Sequence, residues 1–152
     1  MAQPSLTIVR RIKAPPAKVY DAFTRPEIIS QWWGPDAGPV LHAEADARVG
    51  GRFRIRFQSM DGEQHEMSGA YREAEPGRRL VFEMAWLAFP ERQSVVTLQM
   101  AAIEGGTELT LHHEQLHDDE VRDAHAQGWT GMFDKLEPLL KTSPERTADA
   151  NA

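Results

Sequence analysis

The sequence predicts an α+β domain: a curved antiparallel sheet of seven strands, two short helices after the first strand, and a long C-terminal helix across the sheet. Three observations predict it. Residues 39–115 run with an apolar period of two, punctuated by glycine-containing turns. Residues 118–141 instead repeat at about 100° per residue, so Val121, His125, Trp129, Met132, Leu136 and Leu139 share one face. Asp123, Gln127, Thr130, Asp134 and Glu137 occupy the opposite face. A lone amphipathic helix of that length needs a large apolar surface, and the inward rows of the strands supply it.

In chain order, SLTIVRRIK (5–13) alternates and reads as a strand. Pro15 and Pro16 end it, and proline suits the first turn of the helix that follows. That helix buries Val19, Ala22 and Phe23. Thr24-Arg25-Pro26-Glu27 has the form of a capping box, with Thr24 as N-cap and Glu27 reaching back. It opens a second short helix bearing Ile28, Ile29, Trp32 and Trp33, ended by Gly34 and Pro35. Six strands follow: 40–48, 51–59, 63–74, 78–87, 93–103 and 107–115. Asp118 caps the last helix, and Asp119 and Glu120 sit at its positive end. Pro138 should bend that helix around 134–138, with Leu139 and Leu140 still packed.

Register follows from the rule that opposed residues share a face. A three-residue loop at Met60-Asp61-Gly62 pairs Phe57 with His65, Ile55 with Met67 and Phe53 with Gly69, leaving Arg56 opposite Glu66 outside. A turn at Gly105-Gly106 would pair Ala102 with Leu109, Met100 with Leu111 and Leu98 with His113. Leu80 should lie opposite Tyr71, and Trp86 opposite His65. The inward rows hold no Asp or Glu, whereas Arg52, Arg54 and Arg56 make an outward basic ridge.

Composition bounds the function. With 152 residues, 41% hydrophobic and 26% charged, the chain is one soluble-type domain over 1–141 with a solvated, disordered tail over 142–152. A net charge of −6 disfavours nucleic acid and anionic membranes as partners. Without cysteine there is no disulfide, no thiolate metal site and no cysteine nucleophile. No apolar run spans a bilayer and no signal-peptide core opens the chain, so a cytoplasmic protein is expected.

The element order resembles the helix-grip fold of the START-like (SRPBCC, birch-pollen-allergen-like) superfamily. More specifically, IKAPPAKVYDAFTRPEIISQWWGP resembles the N-terminal signature of the family homologous to the C-terminal domain of the heat-shock protein 90 ATPase activator. RVGGRFRIRF, DGEQHEMSGAYREAEPGRRLVFEMAW and HHEQLHDDEVRDAHAQGWTGMFDKL are similar to its later blocks, so the resemblance covers about residues 6–141. It implies a cavity between helix and sheet, in a bacterial protein. It implies no single activity, since bacterial single-domain members mostly lack an assigned function. The eukaryotic activator has a further N-terminal domain that this sequence does not show, so chaperone activation is not carried over.

The expected site is therefore a binding cavity for a small hydrophobic molecule. Trp32, Trp33, Phe57, Met67, Met84, Trp86, Met100, Trp129 and Met132 would form its wall. His65, Tyr71, His113 and His125 would be its polar handles, with His113 placed to meet His125. Gly69 and Gly128 would remove side chains where sheet and helix approach. No cofactor and no metal are expected, because adjacent His112 and His113 point to opposite faces of a strand. Catalysis has little support: no G-x-S-x-G elbow occurs, and no carboxylate pair faces inward. Two alternatives remain open. One is a chaperone-associated protein-interaction module using the arginine ridge. The other is a cyclase- or aromatase-like enzyme using His and Tyr acid–base groups. The chain could be a monomer or a homodimer.

Overall fold

The computed structural model describes residues 3–151, with side chains as far as Lys141. The tail expected over 142–152 lies outside the residues described with side chains. The elements are β1 (Leu6–Ile12), α1 (Pro16–Thr24), α2 (Pro26–Trp32), β2 (Val40–Ala45), β3 (Arg52–Gln58), β4 (Gln64–Glu75), β5 (Arg79–Trp86), β6 (Ser94–Ile103), β7 (Gly106–Glu114) and α3 (Asp119–Asn151). The seven strands form one curved antiparallel sheet in the order β1-β7-β6-β5-β4-β3-β2. The first strand thus pairs with the last, with Ile8 opposite Leu111.

Alternation along the strands sets the faces. β3 reads exposed and buried in strict turn, with Phe53, Ile55 and Phe57 inside. Its partner β4 places His65 opposite Phe57, Met67 opposite Ile55 and Gly69 opposite Phe53, as the three-residue loop requires. Two other registers differ from expectation. In β6–β7, Met100 faces Leu109 and Leu98 faces Leu111, so the turn is Glu104-Gly105. Gly105 takes the positive φ of +82°, while Gly106 already belongs to β7. A Cβ on Gly106 would stand 2.0 Å from the Ile12 carbonyl oxygen, so this glycine serves strand contact rather than the turn. In β4–β5, Tyr71 faces Phe82 and Met67 faces Trp86, because the register shifts between Tyr71 and Glu73.

The expected capping box does not form. Pro26 opens α2 and Arg25 is its N-cap, in extended conformation. Proline bars its predecessor from helical geometry, so Arg25 must be the joint. Thr24 remains in α1, where its Oγ1 donates to the Tyr20 carbonyl at 2.9 Å. Glu27 instead accepts from Arg25 Nε at 2.8 Å.

α3 begins as expected, with Asp118 Oδ1 accepting from the Val121 N–H at 2.8 Å. It continues through Pro138, with Leu136 and Leu140 buried and Leu139 packed against the core. Phe133, absent from the expected face, is completely buried and lies beside Trp129. Two sets of polar contacts fix the helix. On one side Arg10 of β1 donates to Glu137, and to Asp134 at 3.1 Å. On the other, Lys135 Nζ donates to the Asp36 carbonyl at 2.6 Å, tying the loop after α2 to the helix.

The close approach of that loop to α3 falls at Gly131, where a Cβ would lie 2.3 Å from the Pro35 carbonyl oxygen. The expectation for Gly69 and Gly128 is corrected accordingly. A Cβ on Gly69 would strike the Glu83 carbonyl of the neighbouring strand at 1.7 Å, and one on Gly128 would meet nothing within 4 Å. Gly131→Ala should therefore destabilise by about 1–3 kcal/mol through overpacking. Gly128→Ala should be neutral or stabilise by up to about 1 kcal/mol through helix propensity. Urea unfolding midpoints of the two variants check this contrast.

Candidate functional site

The open space beside Gly128 is part of a cavity of about 740 Å³ between α3 and the sheet. Each wall comes from a different element. Trp33 follows α2, Phe57 ends β3, His65 and Met67 come from β4, and Met84 and Trp86 come from β5. His125, Trp129 and Met132 come down from α3. Alternation puts the strand residues on the inner face, and helical spacing puts the α3 residues opposite them. Trp33 meets Trp129 edge-on, with ring centroids 5.8 Å apart, and Phe57 meets Trp86 the same way at 6.0 Å.

Four expected site residues lie elsewhere. Trp32 is buried behind Trp33, with its indole N–H donating to the Ala22 carbonyl at 2.9 Å. Tyr71 packs with Phe53 and Phe82 away from the cavity, and burial raises its pKa well above the usual phenol range. Met100 is buried opposite Leu109. His113 is fully buried behind Trp129 and does not line the cavity.

The histidines are bonded more completely than the sequence suggests. His113 Nε2 lies 2.8 Å from Ser94 Oγ, and its Nδ1 accepts from the Trp129 indole N–H at 3.1 Å. Burial, more than the nearby His125 and His112, pulls its pKa down to about 3. His125 holds Val121 O through Nδ1 at 2.8 Å and accepts from the Trp86 indole N–H at Nε2, 2.9 Å away. Burial lowers its pKa, and the bond to the Val121 carbonyl opposes that shift. The two rings meet at 5.0 Å, as expected. Both nitrogens of each are occupied, so neither serves as a free handle. His65 is the more open one, with Nε2 3.2 Å from Ser59 Oγ.

Several lining residues are missed by the sequence reading. Ser94 is one, although it extends the inward row of Val96 and Leu98 back by one period. Gln115 is another: it holds a positive φ of +62° in the joint between β7 and α3. Leu87, Phe89 and Arg92 border the cavity from the β5–β6 connection, with the Arg92 guanidinium 4.0 Å from the Phe89 ring. Arg56 and Glu66, read as purely outward, border it beside the β3–β4 hairpin. Among the described residues, no three His, Cys, Asp or Glu side chains group as a metal site. None of the described helices is long and apolar enough to cross a membrane.

Comparison with known proteins places this architecture. A protein of Chromobacterium violaceum is similar, at 28% identity and a TM-score of 0.80, covering 91% of this chain and 98% of that one. An AHSA1 protein from Silicibacter pomeroyi is 25% identical with a TM-score of 0.82, covering 92% and 99% of the two chains. An uncharacterised protein from Rhizobium leguminosarum is 28% identical with a TM-score of 0.76, covering 91% and 95%. No curated protein matches the chain. The family profile described as "Activator of Hsp90 ATPase homolog 1-like protein" matches residues 13–141. With that match over most of its length, on the helix-grip architecture described above, the chain belongs to the Activator of Hsp90 ATPase homolog 1-like family.

Proposed function

We propose that the protein binds a small hydrophobic molecule in the space between α3 and the sheet, in the cytoplasm. One observation carries this reading. The cavity of about 740 Å³ has a largely apolar wall that includes aromatic and methionine side chains, and the indole N–H groups of Trp86 and Trp129 are already bonded to histidines. Its size falls within the roughly 300–1,000 Å³ typical of small-molecule sites. A ligand of matching shape gains dispersion contacts along such an apolar wall. Methionine at Met67, Met84 and Met132 lets the wall adapt to that shape.

The other readings gain less. Charge on the outer sheet face is mixed rather than a basic ridge, with Arg54 3.7 Å from Glu44 and Arg72 2.7 Å from Glu83. Acid–base catalysis by His113 or His125 would need a free ring nitrogen, and both nitrogens of each are engaged, which leaves His65 as the more open imidazole at the cavity.

A thermal-shift screen against apolar aromatic and lipid-like compounds tests the proposal. A ligand at a hundredfold excess over its Kd should stabilise by about 2.7 kcal/mol. For a domain of this size that is a rise of roughly 5–11 °C in Tm. A flat response across the library, with no small molecule retained in native mass spectrometry, would count against ligand binding.

A further inference from the structure

The two histidine chains differ in where they end. An indole N–H can only donate. Trp129 therefore fixes His113 Nδ1 as an acceptor, and burial keeps the ring neutral. The single proton of that ring must then sit on Nε2, which donates to Ser94 Oγ at 2.8 Å. Ser94 is thus an acceptor towards His113, and its own hydroxyl proton is left to donate elsewhere. Ser94 is only 5% exposed yet lines the cavity. The chain Trp129→His113→Ser94 is open, and its last proton is available to the cavity. The Trp86→His125 chain is closed instead, because the Nδ1 proton of His125 goes to the Val121 carbonyl.

The same order of protons rules out a nucleophile. An activated serine must give its proton to a bare Nε2, but here Nε2 carries the hydrogen. The donors in the chain polarise one another in the same direction, which strengthens the terminal O–H as a donor.

We propose that the Ser94 hydroxyl is the hydrogen-bond donor that orients the ligand, and that the ligand class is an apolar molecule carrying an acceptor oxygen such as a ketone. The inference rests on the ligand-binding reading above and specifies its chemistry. A pure hydrocarbon would fill the same space and leave the Ser94 proton unpaired.

Benzophenone and diphenylmethane test this, since they differ in shape little and in the carbonyl alone chemically. Isothermal titration should show the ketone binding on the order of five- to tenfold more tightly than the hydrocarbon, the contribution of one net hydrogen bond. The carbonyl stretch of bound benzophenone should move to lower frequency. Ser94→Ala should abolish both the preference and the band shift, whereas Ser94→Thr, which keeps the hydroxyl, should retain them. Without ligand, ¹⁵N spectra should show His113 with a bare Nδ1 and a proton on Nε2. Equal binding of the two compounds, an unshifted band, or the opposite tautomer would overturn the assignment of Ser94 while leaving hydrophobic binding intact. Binding of neither compound would overturn the ligand-binding reading and this inference together.

Discussion

Trp129→Ala should lower stability by about 3–5 kcal/mol, the usual cost of truncating a buried tryptophan. Trp129 is 4% exposed and packs against both Trp33 and Phe133, so its removal takes away the aromatic contact between the α2 exit and the helix and leaves the Lys135 bonds to that loop. The substitution also takes away the donor to His113 Nδ1, and that nitrogen is too buried to find water. Trp129→Phe separates the two losses. It keeps an aromatic ring between Trp33 and Phe133 while deleting the N–H and a smaller part of the buried volume, so it should cost about 1–3 kcal/mol. Urea unfolding of both variants measures the difference, and near-equal losses would show that the hydrogen bond, not packing, dominates at this position.

Acid should destabilise the protein before its carboxylates titrate. His113, with its pKa pulled to about 3 by burial, is neutral in the folded state through mildly acidic pH. In the unfolded chain it returns to about 6.5. Between those values the unfolded state binds a proton that the folded state refuses, so stability rises with pH there and falls on acidification. His113 contributes fully above about pH 6.5, and its contribution shrinks progressively as pH falls towards 3, at about 1.4 kcal/mol per pH unit. His125, also lowered by burial, adds to the upper part of the same window. Urea midpoints measured from pH 7.5 to 4.5 should decline along this slope. In His113→Gln, whose amide can accept from Trp129 and donate to Ser94 without titrating, the slope should flatten. An equally steep decline in the variant would locate the acid sensitivity elsewhere.

The sequence made the faces legible and the registers only in part. The β3–β4 pairing could be read because a wrong loop length would have turned Phe57 or Met67 outward. The β6–β7 pairing could not, because sliding Met100 from Leu111 to Leu109 leaves every residue on its proper face. The observed register sets Gly106 against Ile12 of β1, a contact remote in sequence. The shift near Arg72 in β4 had no sequence signature either. The wall of the site was legible for the same reason as the faces: Met67, Met84, Trp86, Trp129 and Met132 follow strand or helix period. Periodicity does not reveal depth. It put Met100 and Tyr71 on the inner face without showing that they lie away from the cavity. It also made His113 look like a polar group awaiting a ligand, when Trp129 and Ser94 already use it. Ser94 fell within the expected strand 93–103 and in phase with Val96 and Leu98, but the inward row was read from apolar residues and so began at Val96.

The central claim is that the space beside Gly128 is a ligand site rather than a packing defect. Fluorescence titration with 1-aminoanthracene, comparing the wild-type protein with Gly128→Phe, tests it most directly. A side chain at Gly128 enters open space in the cavity wall, so phenylalanine there should occupy the site with little cost to the fold. The account predicts saturable one-to-one binding with blue-shifted emission for the wild type. For Gly128→Phe it predicts at least tenfold weaker binding at an unchanged urea midpoint. Undiminished binding in Gly128→Phe, or no saturable binding in the wild type, would contradict it.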